Sequence, residues 1–142
     1  MTNVTIRLMT LEDYDAVHAL WAAEPGIGLH DAEDSREGIA AYLRRNPATC
    51  FVAAADGLLV GAVLCGHDGR RGFLNHAVTA PAFRGRGVGR ALAESCLSAL
   101  RAEGIRKAAV LVFRDNDPGN AFWSALGFDS REDLLYQTHR TI

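Results

Sequence analysis

Arg84-Gly85-Arg86-Gly87-Val88-Gly89-Arg90 lies between a segment with the pattern of a strand, residues 73–79, and a segment with the pattern of a helix that runs to about Glu103. Glycines let the backbone adopt positive φ angles and let N–H groups approach a ligand closely. A helix that begins here adds N–H groups without intrahelical acceptors, together with a partial positive charge. The stretch therefore predicts a cradle for a ligand that carries a pyrophosphate or a similar group.

Two common phosphate-binding turns do not match this stretch. A dinucleotide-binding turn needs G-x-G-x-x-G, but the third glycine is replaced by Arg90 or Leu92, depending on which glycine starts the motif. A P-loop needs Gly-Lys followed by Ser or Thr, and the stretch contains no such run. Spacing alone leaves one alternative open, in which an Arg- and Gly-rich turn is simply solvated.

The segments before the glycine-rich stretch predict a strand, two helices and three further strands. Thr10, followed three residues later by Asp13, resembles a capping box at the start of the first helix. Pro47 predicts that the second helix ends near Arg45. The predicted elements are a strand at 4–8, a helix at 11–21, a loop at 25–34, a helix capped by Asp34 or Ser35, and strands at 49–54, 59–65 and 73–79, joined by turns at 56–57 and 67–69.

The segments after the stretch complete the predicted fold. Lys107–Phe113 is apolar and β-branched, which predicts a strand at the centre of the sheet. Asn120–Leu126 predicts a short helix, and Phe128 and Leu134–Thr138 predict closing strands. Hairpins favour antiparallel neighbours, whereas the helical crossover favours a parallel or splayed fourth and fifth strand. We therefore expect an α/β (α+β) fold with a mixed sheet, in one domain that spans residues 1–142.

Composition narrows the class of protein. The chain has 142 residues, of which 49% are hydrophobic and 23% charged, and its net charge is −2. These values predict no general attraction to nucleic acid or to anionic membranes. The N-terminus lacks a signal-peptide pattern, and no apolar run is long enough to cross a membrane. Three dispersed cysteines and five histidines without metal-ligand spacing predict a cytoplasmic protein with neither disulfides nor a metal.

The glycine-rich stretch also resembles a known signature. Arg84-x-x-Gly87-x-Gly89, after a strand that ends Ala-Val-Thr-Ala-Pro at 77–81, is similar to the acetyl-CoA signature of the GNAT superfamily of N-acetyltransferases. Residues 6–21 resemble the opening strand and helix of that superfamily. The run 66–72 further suggests its small bacterial YpeA-like branch.

A second motif supports the resemblance. The superfamily's later motif, N-x-x-A-x-x-[FL]-Y-x-x-x-G-F, resembles residues 116–128, with Asn116, Ala121-Phe122-Trp123 and Leu126-Gly127-Phe128. Gly119 stands at the alanine position and Trp123 at the position of the tyrosine. The resemblance covers nearly the whole chain, with its motifs in the expected order.

The resemblance implies that the cosubstrate is acetyl-CoA and that the acetyl group is transferred directly to a primary amine (EC 2.3.1.-). It implies a GNAT-like, mostly antiparallel sheet with splayed central strands, flanked by about four helices, and a cofactor wedged into the splay. Backbone groups of Ala77, Val78 and Thr79 match those that hold the pantetheine arm. The remaining cofactor positions by this resemblance are Arg84, Gly85, Arg86, Gly87, Val88, Gly89, Arg90, Asn116 and Trp123.

The implied reaction needs a base, an oxyanion donor and an acid. Deprotonating a lysine-like amine, with a pKa of about 10.4, costs about 4–5 kcal/mol at pH 7. His76 is a candidate base because the ordinary pKa of histidine lies near neutrality; alternatively it is a half-buried strand residue, hydrogen-bonded to the sheet. The resemblance assigns the oxyanion to a backbone N–H near Thr79. Indole is no acid at neutral pH, so water or Tyr136 would replace Trp123 in protonating the thiolate, or catalysis would be slow.

Other polar residues allow two interpretations. His67 and Asp68 would position substrate or base, or would form a solvated hairpin turn. Glu24 and the acidic residues of 31–34 would rim a pocket for a cationic acceptor, or would form a solvated loop. Cys65 and Cys96 are expected to be core thiols rather than nucleophiles.

Two competing functions stay open at this point. A non-catalytic acetyl-CoA-binding sensor would use the same scaffold, and Trp123 at the acid position favours that function. A nucleotide-binding protein would use the glycine turn, but the Rossmann and P-loop signatures are missing. The expected partner is a small-molecule or peptide amine rather than nucleic acid or membrane, and the last strands are compatible with a homodimer.

Overall fold

The computed structural model describes residues 3–142, which divide into two compact units, one up to Leu111 and one from Val112. Within these residues the first unit contains a five-stranded sheet of order β1-β2-β3-β4-β5. Its elements are β1 (Val4–Leu8), α1 (Tyr14–Ala22), α2 (Arg36–Arg45), β2 (Phe51–Ala55), β3 (Leu58–His67), β4 (Gly72–Thr79), α3 (Val88–Ala102) and β5 (Ala108–Val110). The second unit contains α4 (Asp117–Ala125).

The helix ends follow local rules that the sequence had indicated. The Asp13 carboxylate accepts the N–H of Thr10 at 2.9 Å, and a 3-10 turn at Leu11–Asp13 leads into α1. Ser35, rather than Asp34, caps α2, because its Oγ accepts the N–H of Gly38 at 3.0 Å. Across residues 3–142, none of the helices combines the length and the apolar character that a membrane span requires.

Helices cover both faces of the sheet. Because side chains alternate between faces along a strand, Val52, Ala62 and Leu64 belong to one core, which they share with α1 and α2. Gly61 faces the other way, and a Cβ there would lie 3.0 Å from Leu92 of α3. This arrangement, with antiparallel pairing from β1 to β4 and a parallel β4–β5 pair, confirms the predicted mixed, mostly antiparallel fold.

The strand β4 departs from regular pairing at two places. Opposite β3, the pairs Ala62↔Val78 and Leu64↔Asn75 leave two β4 residues facing one β3 residue, which is a β-bulge. On its other edge, β4 pairs with β5 only through Gly72–Leu74. The predicted splay between the fourth and fifth strands therefore starts after Leu74.

Two predictions about the later strands are wrong. Lys107–Phe113 was expected to form a central strand, but only Ala108–Val110 is paired, and β5 lies at the edge of the described sheet. Phe128 and Leu134–Thr138 were expected to close the sheet, but residues 126–142 contain no strand. The side chains of Leu134 and Leu135 are largely exposed, so the apolar pattern there is not buried against a sheet. A homodimer formed through these last strands is therefore not available, because residues 126–142 contain no strand.

The second unit is organised around α4. Asn116 caps this helix, since its Oδ1 accepts the N–H of Gly119 at 3.0 Å. Trp123 is buried and packs edge-to-face on Phe122 and Phe128, with ring centroids 4.8 and 5.1 Å away. These contacts account for the aromatic spacing of the later motif.

Replacing Asp13 with asparagine is expected to lower the free energy of unfolding by about 1–2 kcal/mol at pH 7. The buried Asp13 carboxylate binds both guanidinium nitrogens of Arg7, at 2.8 and 2.9 Å, besides capping Thr10. Hydrogen bonds from Arg7 hold the pKa of Asp13 below its ordinary value. Because the folded-state pKa is the lower one, this stability is present above about pH 4 and is lost as pH falls through the folded-state pKa.

Urea denaturation at pH 7 and in the acid range would measure both effects of Asp13→Asn. Asp15→Asn is the matched control. The Asp15 side chain is 90% exposed, and its ion pair with Arg36 is long, at 3.6 Å, so its loss should cost little stability. The prediction would be contradicted if Asp15→Asn lost as much stability as Asp13→Asn. It would also be contradicted if the difference in unfolding free energy between wild type and Asp13→Asn persisted in acid.

Candidate functional site

The glycine-rich turn exposes its backbone to solvent at the start of α3. Gly85 and Gly87 have φ angles of 75° and 80°, in the region that disfavours other residues. A Cβ built on either glycine meets no protein atom within 4 Å, so the space above the turn is open. Gly87 is also the N-cap of α3, which places this space at the positive end of a 15-residue helix.

The N–H groups of this turn are available to an anion. The first paired N–H is that of Ala91, which donates to the carbonyl of Gly87 at 3.0 Å. Among the described residues, the N–H groups of 85–90 have no backbone or side-chain acceptor in the protein. A run of N–H groups around two left-handed glycines is a typical binding site for phosphate oxygens.

The three arginines of the turn already have partners. Arg84 donates to the Thr79 carbonyl at 3.1 Å and also binds the Glu24 carboxylate. The guanidinium carbon of Arg86 lies 5.1 Å from the centre of the Phe83 ring. Arg90 contacts Glu94 one turn along α3, at 3.3 Å. Since all three side chains remain largely exposed, these contacts are weak and leave the arginines within reach of a ligand.

The far half of β4 presents an edge that β5 does not reach. The N–H of Ala80 donates to a β3 carbonyl at 2.8 Å and therefore points toward β3. Because successive backbone groups alternate in direction, the N–H and C=O of Thr79 point toward the open edge. Its carbonyl is bound by Arg84, so its N–H is the donor that this edge offers. Ala77 is the second residue of the bulge, and Val78 lies between it and Thr79.

His76 lies in the β4 bulge with an unusual backbone conformation. Its φ angle is 52°, which is rare for a residue other than glycine. Trp21 of α1 holds it, since the indole N–H donates to the His76 carbonyl at 3.0 Å and the two rings pack at 5.0 Å. The Nε2 of His76 lies 2.9 Å from Oδ1 of Asp34. The side chain is thus half-buried and hydrogen-bonded to a carboxylate, not to the sheet.

Sequence reasoning counted Asp34 among the acidic residues of its loop and as a possible helix cap, but it missed the contact of Asp34 with His76. The loop at 25–34 was predicted correctly, and Asp31 and Glu33 are exposed, but Asp34 is only 6% exposed. Its Oδ2 accepts the N–H of His30 at 2.8 Å, and its carbonyl accepts the Tyr14 hydroxyl at 2.6 Å. No local pattern signals this residue, because its partner His76 is 42 positions away.

His67 and Asp68, which the sequence also offered as site candidates, lie away from Thr79 and the glycine turn. His67 and Asp68 lie at the opposite end of β4 from Thr79. Asp68 accepts the N–H groups of Arg70 and Arg71 at 2.8 and 2.9 Å, which lowers the pKa of its carboxyl. They therefore form a hairpin turn.

The three cysteines are buried free thiols. Burial raises the pKa of Cys50 to about 12, and a hydrogen bond with Cys65 followed by burial raises the pKa of Cys96. The thiolates of Cys50 and Cys96 are therefore disfavoured, which argues against nucleophilic roles for these two. Cys65 and Cys96 lie in the core, as expected. Within residues 3–142 the structure contains no group of three His, Cys, Asp or Glu side chains that would hold a metal ion.

The later site residues belong to the second unit. The Oδ1 of Asn116 is used to cap α4, which leaves its amide nitrogen as a donor. Trp123 is part of the aromatic cluster of that unit. Tyr136 was expected on a closing strand, but it lies in an irregular segment and is 73% exposed.

This chain is similar to known proteins over most of its length. The sequence model of the Acetyltransferase (GNAT) family matches residues 14–128. An acetyltransferase of Pectobacterium atrosepticum is 33% identical over 125 residues, which cover 88% of this chain and 87% of that protein.

Two solved structures share the fold. Ard1 from Thermoplasma volcanium has a TM-score of 0.79 at 23% identity, over 89% of this chain and 82% of that one. The PaiA N-acetyltransferase from Thermoplasma acidophilum, in complex with coenzyme A, has a TM-score of 0.77 at 18% identity, over 91% of each chain.

Proposed function

The chain belongs to the GNAT acetyltransferase family, and from this premise we propose that it is an acetyl-CoA-dependent N-acetyltransferase. It transfers the acetyl group to a primary amine by direct attack within a ternary complex. The whole chain, residues 1–142, would act as one catalytic domain, since the family match runs from 14 to 128 and spans both units. The single observation that carries the proposal is the run of unpartnered N–H groups at 85–90 beside the edge of β4 that β5 does not reach.

Coenzyme A would lie along two surfaces, the glycine turn at 85–90 and the edge of β4 that β5 does not reach. Its diphosphate would accept the N–H groups of the glycine turn at the start of α3. Its pantetheine arm carries amides, which would pair with the open edge of Ala77–Thr79 as an added strand. Asn116 and Trp123 are proposed as further contacts. The PaiA N-acetyltransferase, whose structure contains coenzyme A, shares the fold and supports coenzyme A as the ligand.

The residues of this chain supply the chemistry of transfer. His76 takes one proton from the acceptor ammonium, and the freed amine nitrogen bonds to the thioester carbon. The Thr79 N–H donates to the oxyanion of the tetrahedral intermediate. The C–S bond then breaks, and the second proton lost by the nitrogen neutralises the thiolate, through water or Tyr136. The products are an amide, CoA thiol and one proton, which passes from His76 to solvent.

The acceptor is proposed to be a cationic small molecule or peptide amine. Asp31 and Glu33 are exposed on the segment between α1 and α2, and the same segment supplies Asp34 to His76. Glu24 differs from them, because its side chain is only 25% exposed and lies against the glycine turn, where it binds Arg84. A cytoplasmic location is proposed because three buried free thiols suit a reducing compartment.

Incubation with acetyl-CoA and a panel of polyamines, amino acids and peptides is expected to release free CoA thiol with at least one amine. Thiol release by a chromogenic disulfide, and the acetylated product by mass spectrometry, would measure it. Stabilisation by CoA without release on any amine would instead indicate a non-catalytic acetyl-CoA sensor. Stabilisation by NAD or ATP but not by CoA would contradict the whole assignment.

A further inference from the structure

We propose that Asp34 is the positioning residue for His76, and that it selects the tautomer whose Nδ1 faces the acceptor amine as a proton acceptor. The proposal rests on the proposed function and goes beyond it, because it assigns a role to a residue outside the family's motifs. It is carried by the 2.9 Å contact between Asp34 Oδ1 and His76 Nε2 and by the burial of the carboxylate.

The contact determines where the imidazole hydrogen lies. A carboxylate oxygen only accepts hydrogen bonds, so Nε2 of a neutral His76 must carry the hydrogen that bonds to Asp34. The other ring nitrogen, Nδ1, then holds the lone pair and is the atom that can take a proton. When it does so, the imidazolium is stabilised by the carboxylate already bound to Nε2.

Asp34 is itself held rigidly enough to orient the ring. Its second oxygen accepts the His30 N–H at 2.8 Å, and its backbone carbonyl accepts the Tyr14 hydroxyl at 2.6 Å. Trp21 packs against the His76 ring, and its indole N–H donates to the His76 carbonyl. The imidazole is therefore oriented by two contacts, one with a carboxylate and one with an indole.

This arrangement also explains a backbone conformation that would otherwise be costly. A residue with a Cβ at a φ angle of 52° is strained unless its surroundings favour it. The contacts with Trp21 and Asp34 stabilise this conformation. They also place the ring of a strand residue against the segment between α1 and α2. In a regular strand, without the extra residue, the side chain would be turned toward a different face.

The first test needs no variant. Long-range 1H–15N correlation spectra of the uniformly 15N-labelled protein report which imidazole nitrogen carries hydrogen. At a pH where His76 is neutral, we expect the Nε2–H tautomer. A predominantly Nδ1–H tautomer would overturn the proposal, even if acetyl transfer were already established.

The second test is a double-mutant cycle on kcat. Asp34→Asn is expected to lower kcat about 10- to 100-fold, with the Kd for CoA unchanged, because an amide no longer enforces one tautomer. In the background of His76→Asn, which lacks the base, the same Asp34 substitution should change kcat by less than about twofold. Independent, multiplying effects would overturn the proposal.

Asp13→Asn is the matched control for Asp34→Asn. Both carboxylates are buried, and each accepts one backbone N–H and one basic side chain. Asp13→Asn should lower stability and leave kcat unchanged. An equal loss of kcat in both variants would mean that Asp34 has only a structural role, and it would overturn the proposal. If the wild type acetylates no amine on the panel, the proposed function fails, and the tautomer measurement still decides the contact separately.

Discussion

Gly87→Val is expected to weaken CoA binding about 100-fold, which corresponds to about 2.8 kcal/mol. Gly87 adopts a φ angle of 80°, where a β-branched residue is strained by about 1–2 kcal/mol. If the turn relaxes to relieve that strain, the N–H groups of 85–90 no longer converge. If it does not, the valine side chain enters the space that the diphosphate would occupy. Isothermal titration with CoA measures either loss.

Gly57→Val is the matched control for this experiment. Gly57 lies in the β2–β3 turn with a φ angle of 78°, and a Cβ there also meets no atom within 4 Å. The two variants should therefore lose similar folding stability, while only Gly87→Val loses affinity for CoA. Undiminished affinity in Gly87→Val, or the same loss in both variants, would contradict the proposed diphosphate site and with it the proposed function.

His76→Gly is expected to lower kcat by about 10²- to 10⁴-fold with little change in the Kd for CoA. Removing the imidazole eliminates the proposed base, and glycine accepts the positive φ angle at this position without strain. The loss of rate would therefore reflect chemistry rather than a distorted strand. Steady-state kinetics on the acceptor found by thiol release would measure it.

Chemical rescue separates catalysis from structure at His76. Free imidazole would fit the space left beside Trp21 and Asp34, and it should restore part of the rate in His76→Gly. The same imidazole should not change the rate of the wild type. A variant that keeps its full rate, or a loss that imidazole does not reverse while folding is intact, would assign His76 a purely structural role.

Most of the first unit could be predicted because its signals are local. Ser35 caps α2 through a bond to Gly38, three residues away, and Pro47 limits its end. The Asp56-Gly57 turn lies between two antiparallel strands, as expected from residues that tolerate positive φ angles. Such interactions are made within a few residues, so neighbouring side chains reveal them.

The later strands could not be predicted for the opposite reason. Lys107–Phe113 has the composition of a central strand, but only three of its residues find a partner, since pairing depends on β4. The same holds for Leu134–Thr138, whose apolar residues are exposed. Strand propensity reports that a segment fits a half-buried sheet and does not report that a sheet edge is within reach.

The glycine turn and its placement before α3 are encoded in consecutive residues, because left-handed φ angles and helix N-termini are local properties that Gly85, Gly87 and their neighbours impose directly. The environment of His76 is different. Its bulge, its Trp21 contact and its Asp34 partner bring together residues 42 and 55 positions apart. Only packing of α1 and the following loop against β4 creates that group, since hydrogen bonds between distant side chains depend on tertiary contacts that no short segment specifies.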